Sequence, residues 1–267
     1  MSDSSVAVFR APQPRIRQVP VDQPWQWLSA GWRDLLAMPS VSATYGAIAV
    51  VTGWIAVALL LWVDLPYLVL PLSAGFFFLG PFMAVGLYDA SRRRQAALPI
   101  DLEATLFAWR RNPDQILLMG LLLLLFHLAW MRVAQLLFAL FEWQAIPSWD
   151  RFADLAWFSS RSLPFLALGV GVGAVMAGTA FMIGAFSMPY LLDRRSSNLF
   201  EAIATSVAAV RLNLRPMLLW AGLIVLLVVL AMVPGLLGLV VVLPVVGHAT
   251  WHAYRDIVHF DGVEPDR

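Results

Sequence analysis

The chain has no cysteine and no lysine, and charged residues make up only 13% of its 267 positions. Without cysteine there is no disulfide, thiolate nucleophile, thiolate metal site or thioether-bound haem. Without lysine there is no P-loop lysine, no Schiff base and no anchor for pyridoxal phosphate. All eighteen cationic side chains are arginine, a bias that fits a GC-rich bacterial genome better than a mechanism. The net charge of +1 gives bulk electrostatics no basis for binding nucleic acid. The familiar soluble-enzyme patterns are missing as well: no His-Glu-x-x-His, no Gly-x-Ser-x-Gly, and no dinucleotide glycine pattern after a strand.

What is abundant is apolar surface. Sixty per cent of the residues are apolar, against roughly half in a soluble domain. They gather into six runs, Val41–Val63, Tyr67–Tyr88, Gln115–Phe141, Leu163–Leu191, Met217–Val233 and Leu236–Tyr254. A helix of about 20 such residues crosses a hydrocarbon core of about 30 Å. Leu65-Pro66 and Pro234-Gly235 supply tight turns between the first and last pairs.

Arginine sets the orientation. Arg10, Arg15, Arg17, Arg33, Arg92, Arg93, Arg94, Arg110, Arg111, Arg194, Arg195, Arg211, Arg215, Arg255 and Arg267 fall on one side of this topology. Arg151 and Arg161 fall on the other, and Arg132 lies within a span. Both termini are thus expected to be cytoplasmic, in a bacterial inner (plasma) membrane crossed several times. Trp25, Trp27, Trp32, Trp109 and Trp251 are expected near the inner interface, with Trp62, Trp143, Trp149 and Trp157 near the outer one.

A short amphipathic segment precedes each pair of spans. Trp25 to Met38 aligns Trp25, Leu28, Trp32 and Leu35. Asp101 to Arg111 opens on an aspartate in N-cap position and aligns Leu102, Leu106 and Trp109. Asn198 to Arg211 has Asn198 and Glu201 spaced as a capping box, then Leu199, Ile203, Val207 and Val210. The expected fold is therefore an all-α membrane protein. Six transmembrane helices form three hairpins, each preceded by a short interfacial amphipathic helix. Residues 1–20 read as a disordered cytoplasmic tail. Residues 21–256 form a polytopic domain with repeats at 25–88, 101–191 and 198–254, and residues 257–267 form a second cytoplasmic tail. On the far side, Glu142 to Ser162 is the only sizeable segment, where Ser148 could cap a helix presenting Trp149, Phe152, Ala153, Ala156 and Trp157 to the membrane.

Several blocks occur together: Arg15-Ile16-Arg17 through Trp25, Gly31-Trp32-Arg33-Asp34 with Pro39 and Tyr45-Gly46, Leu79-Gly80-Pro81 with Gly86-Leu87-Tyr88, and Gly247-His248-Ala249-Thr250-Trp251-His252-Ala253-Tyr254-Arg255. In these the chain resembles a bacterial integral-membrane family, domain of unknown function 2189, over nearly all of its length after the tail. The resemblance implies a polytopic inner-membrane protein and carries no functional residue across.

No catalytic residue, cofactor-binding residue or metal ligand is assigned, and no cofactor is implied. The intramembrane polar candidates are His127, Arg132, Gln135, His248, His252 and Arg255. An ionisable group at the bilayer centre costs about 2.5–3.5 kcal/mol, so each needs a reason to be there. Arg132 forms a short stripe with Gln135 and Glu142; it reads as an interior contact or as an arginine snorkelling outward, paired with Glu142 or Asp154. His248 and His252, four apart, read as a metal or haem pair, with His127 as a third nitrogen, or as interface residues bonded to backbone and lipid. The small residues Gly169, Gly173, Ala177 and Gly184 read as a packing stripe. Asp89, Asp193 and Asp256 end successive helices and read as ion-paired surface groups.

The leading functional expectation is a non-enzymatic membrane protein that acts as a structural, assembly or regulatory partner of membrane complexes. Its partners would be the lipid bilayer and other membrane proteins, not nucleic acid. A small-solute transporter or channel is the alternative, and a haem- or metal-binding respiratory subunit the third.

Overall fold

Prolines open the helices that leave the arginine-rich end, because a first-turn N–H has no intrahelical partner to lose. The computed structural model describes residues 14–141 and 149–260. A short strand, β1 (Arg15–Ile16), precedes helices α1 (Gln23–Ala37) and α2 (Pro39–Trp62). The chain returns through four short helices, α3 (Val69–Ser73), α4 (Gly75–Phe78), α5 (Gly80–Met83) and α6 (Val85–Gln95), and continues into α7 (Leu102–Leu106). Next come α8 (Pro113–Phe141), α9 (Trp149–Ala153), α10 (Ser162–Gly184), α11 (Ser187–Asp193) and α12 (Leu199–Leu212). Helices α13 (Leu214–Met232) and α14 (Leu239–Ile257) and strand β2 (Val258–His259) complete it.

Four helices are long and apolar enough to cross a membrane: Pro39–Trp62, Pro113–Phe141, Ser162–Asp193 and Leu214–Met232. The other two expected spans take a different form. Pro66, Pro71, Gly75, Gly80 and Pro81 divide the second into short pieces. The pieces stay linked by helical hydrogen bonds, Leu79 N to Gly75 O at 2.7 Å and Tyr88 N to Ala84 O at 2.9 Å among them. The sixth, α14, has Pro244 inside it and most of its later residues buried in protein rather than facing outward. Pro244 cannot donate to the Val240 carbonyl, and there Gly46 brings the α2 backbone against α14; any side chain at Gly46 would overlap Val240. At the turn expected near Pro234-Gly235, Gly235 and Leu236 adopt φ of 63° and 71°.

The amphipathic segments form as expected at their starts. Asp101 Oδ2 accepts from Ala104 N, and Asn198 with Glu201 completes a capping box. Their buried faces differ from the apolar stripes, however. In α1 the buried residues are Pro24, Trp27, Gly31 and Asp34, while Trp25, Trp32 and Leu36 are exposed. In α12 they are Ala202, Thr205, Ser206, Ala209 and Val210. In α1 the exposed Trp25, Trp32 and Leu36 stand opposite a face on which Trp27 is flanked by Gly31 and Asp34; in α12 Val210 is buried and Leu199 and Ile203 pack on the core beside the small residues. Trp27 and Trp251, expected at the interface, are core residues.

These helices repeat one arrangement three times. Helix α7 packs on α6, α12 on α11, and α1 on α14. The junctions where they turn into the next long helix are Asn112, Asn213 and Met38. Asn112 Nδ2 donates to the carbonyls of Arg194 and Ser197, in the connection before α12. Asn213 does the same before α1, donating to Arg17 O at 3.0 Å and accepting from Val19 N at 2.9 Å. For α1 to follow α14 in this series, the two ends of the chain must meet. They do, as β1 pairs antiparallel with β2, Arg15 opposite His259 and Ile16 opposite Val258.

The expectation of a tail without structure up to Pro20 is therefore corrected: residues 14–20 are held by this ladder and by Asn213. In the second tail, Ile257 ends α14 and Val258–His259 form β2; Arg194 stacks 3.7 Å above the Phe260 ring. Residues 1–13 and 261–267, and with them Arg10 and Arg267, lie outside the described residues. So do Glu142, Trp143 and Ser148.

Candidate functional site

The main core gathers at the arginine-rich end, around Trp27, Leu87, Met119, Phe186, Trp220, Trp251 and Tyr254. Inside it lies a polar network that joins α1, α2, α6 and α14. Asp34, on the protein face of α1, is its centre. Oδ2 of Asp34 accepts from Ser91 Oγ at 2.5 Å and lies 2.9 Å from His252 Nε2; Oδ1 accepts from Arg94. His248 lies behind Ser91, with Nδ1 2.8 Å from Ser91 Oγ and Nε2 3.0 Å from Ser42 Oγ. His252 Nδ1 is 3.1 Å from Gln95 Nε2, and Gln95 Oε1 accepts from Trp251 Nε1 at 2.9 Å.

Donor counting gives this network a direction. Ser91 has one hydroxyl proton and gives it to Asp34. His248 must then donate from Nδ1 to Ser91 and accept at Nε2 from the Ser42 hydroxyl. Gln95 uses its amide N–H on His252, so His252 donates from Nε2 to Asp34. Every arrow ends on one carboxylate. Burial alone would raise the Asp34 carboxyl, but hydrogen bonds from His252 and Ser91, with the charges nearby, outweigh it and hold it below its ordinary value.

Serine, histidine and aspartate here do not make a nucleophilic triad. In a triad the carboxylate orients the imidazole and the imidazole takes the serine proton. Here Asp34 takes the Ser91 proton itself. Ser42, whose hydroxyl does face His248 Nε2, is 1% exposed, so no substrate carbonyl reaches it. The arrangement clamps helices. Its glycines carry the same message: a Cβ at Gly31 would sit 2.8 Å from Ala249 N, so α1 touches α14 backbone to backbone.

The network brings together only part of the candidate set. His248 and His252 belong to it, each with both ring nitrogens hydrogen-bonded. Arg255 points elsewhere, to Asp193 Oδ2 at 3.4 Å, which also accepts from Tyr254 Oη at 2.9 Å. His127 is separate: it is buried beside Phe78 and Gly75, and its Nδ1 has no hydrogen-bond partner. Among the described residues no three His, Cys, Asp or Glu side chains gather as a metal site. The helix-ending aspartates are not surface groups. Asp89 is enclosed with Arg92 and Arg93, Asp193 is enclosed with Tyr254, and Asp256 binds Gln23 and Trp27. Asp34 and Ser91 escaped sequence reasoning because α1 and α14 lie more than two hundred residues apart. The Pro24, Trp27, Gly31, Asp34 spacing of three, four and three residues was the available signal.

A second feature lies toward the other end. A cavity of about 1430 Å³ opens between α8, α10 and α13, with an almost wholly apolar lining. Arg132 and Gln135 stand at one end of it, bonded to each other at 3.1 Å; Tyr88, Gly247 and Thr250 lie at the other, next to the polar network. Gly169, Gly173 and Ala177 line its α10 wall. The expected packing stripe is divided: Gly173 lies against Trp130 and Gly184 against Leu123, whereas a Cβ at Gly169 would meet nothing within 4 Å. Phe152, Leu155 and Ala156 fold inward on Phe138 and Phe165, while Trp157 and Phe158 stand out.

Residues 68–193 match the model of the family described as a predicted integral membrane protein, domain of unknown function 2189. The matched stretch runs from the broken helices through α8 to the end of α11, and the chain is an integral membrane protein with several apolar helices. The Gly31–Asp34 and Gly247–Arg255 blocks, which pack on each other, lie outside the matched stretch. No curated protein and no solved structure matches the chain.

Proposed function

We propose that this is a non-enzymatic binding protein of the bacterial inner membrane. It crosses the bilayer six times with both termini cytoplasmic, and it serves membrane complexes as a structural, assembly or regulatory partner. One contrast carries the reading. Asp34, Ser42, Ser91, His248 and His252, the gathered side chains that could do chemistry, are used up in holding helices together, while the open volume is apolar and lies among membrane helices. A site for a water-soluble substrate would have the opposite distribution. The linked short helices α3–α6 and the returning α14 support the two crossings that composition alone leaves short.

Mild-detergent purification of the full chain, followed by identification of bound protein and lipid, tests the reading. A stoichiometric membrane component supports it. A lone protein that releases nothing and catalyses solute exchange in vesicles overturns it. Reporter fusions at residues 64, 97 and 235 test the six crossings, with 97 expected in the cytoplasm and the other two outside.

The transporter reading keeps one observation in its favour, the length of the cavity from Arg132 to Thr250. Passage to the cytoplasm would require the Asp34 network to open. An Arg132→Leu variant of normal abundance with unaltered solute uptake argues against it.

A further inference from the structure

We propose that the cavity holds the acyl chains of an anionic phospholipid whose phosphate is bound by Arg132. This rests on the reading of the chain as a membrane-embedded binding protein and names what it binds. The depth of Arg132 is the first support. The apolar face of α8 begins at Ile116, after the polar pair Asp114 and Gln115. About 20 residues cross the hydrocarbon, which places the far boundary near Gln135. Arg132 is thus within one turn of the headgroups, and its guanidinium is exposed at the cavity mouth, steadied by Gln135 Oε1. A guanidinium offers a planar pair of donors that fits phosphate oxygens.

The walls supply the second support. The volume exceeds the ~300–1000 Å³ of common small-ligand pockets and suits long chains better than a compact solute. One wall is fixed: Trp130 donates to the Pro71 carbonyl at 3.2 Å, and its ring lies against Gly173. The other wall is α10, whose apolar stretch is only 6% buried, and a Cβ at Gly169 or Gly178 would meet nothing within 4 Å among the described residues. Charge at the mouth and hydrocarbon below match the two ends of one phospholipid. A partner helix would fill the groove but leave the guanidinium facing hydrocarbon.

The test uses the full chain purified in mild detergent and exposed to vesicles of equimolar phosphatidylglycerol and phosphatidylethanolamine, with bound lipid read by native mass spectrometry. The wild type is expected to retain phosphatidylglycerol about tenfold over phosphatidylethanolamine, whose own ammonium competes with the Arg132 guanidinium for the phosphate that both lipids carry. Arg132→Leu is expected to lose the preference, and Arg132→Lys to keep part of it. Ala177→Phe, which fills the groove and leaves the arginine, is expected to lose both lipids. Unchanged preference in Arg132→Leu, or unchanged retention in Ala177→Phe, overturns the proposal. So does a protein helix found in place of lipid, although that outcome leaves the binding-protein reading standing. Retention of neither lipid nor protein overturns both.

Discussion

At the arginine-rich end of the bundle, Asp34, Ser42, Ser91 and His248 are enclosed and bonded to one another across four helices. At the far end Trp62 and Phe158 are 82% and 81% exposed, and the apolar stretch of α10, though it packs on α8 and α12, is mostly exposed. The difference follows from the solvent. Near the headgroups water competes for polar groups, and only a network that satisfies every member excludes it without loss. Within hydrocarbon there is no hydrophobic force between helices, so contacts depend on shape. One end is therefore specified by hydrogen bonds and backbone contact, and the other is left able to accept something from the bilayer.

Variants in the two regions should separate by several kcal/mol, and thermal unfolding in detergent measures each. Asp34→Ala should have the largest effect, about 3 kcal/mol: it leaves Ser91 and His252 without an acceptor, though Arg94 still reaches water. Gly31→Leu should cost about 1–3 kcal/mol or more by driving α1 off the α14 backbone. If both proved neutral, the base would not be the rigid part. Asn213→Ala should cost about 1–3 kcal/mol, chiefly by freeing residues 17–19, and hydrogen exchange there should rise. At the other end, Gly178→Ala should stay within about 0.5 kcal/mol, since a Cβ there meets nothing.

Acid sharpens the same contrast. The Asp34 carboxyl is held below its ordinary 3.8 in the folded protein. Its contribution is present above the unfolded value and is lost as pH falls through the lower, folded one. The melting temperature should therefore fall below about pH 4, and the fall should be smaller in Asp34→Asn. An identical acid limb in that variant would show that Asp34 is not responsible for it.

The apolar runs, the caps at Asp101 and Asn198 and the turn at Gly235 were legible because each depends on neighbours in sequence. What the interfacial helices pack against was not. Bulky residues advertise a face, and in α1 Trp25, Trp32 and Leu36 point outward; the faces that meet protein also carry Gly31, Asp34, Ala202 and Ser206, which no apolar stripe announces. Ser206 shows why such residues are there. Its hydroxyl donates to Met182 O at 2.8 Å and its oxygen accepts from Phe186 N at 3.1 Å, repairing the backbone where α10 gives way to α11. Likewise His248 and His252 were visible as a pair, but their partners come from helices far away in the chain. The cavity was not legible at all, because small residues signal close packing and empty space in the same letters.

The pairing of β1 with β2 has a practical consequence for order of synthesis. If the first and last strands are already neighbours, a short linker between them adds no strain, and the loop at residues 96–100 offers a place to cut instead. Such a circularly permuted chain would begin at α7, end at α6 and emerge from the ribosome with α1 following α14. Its insertion into membranes would show that the three units are interchangeable in time as well as in space.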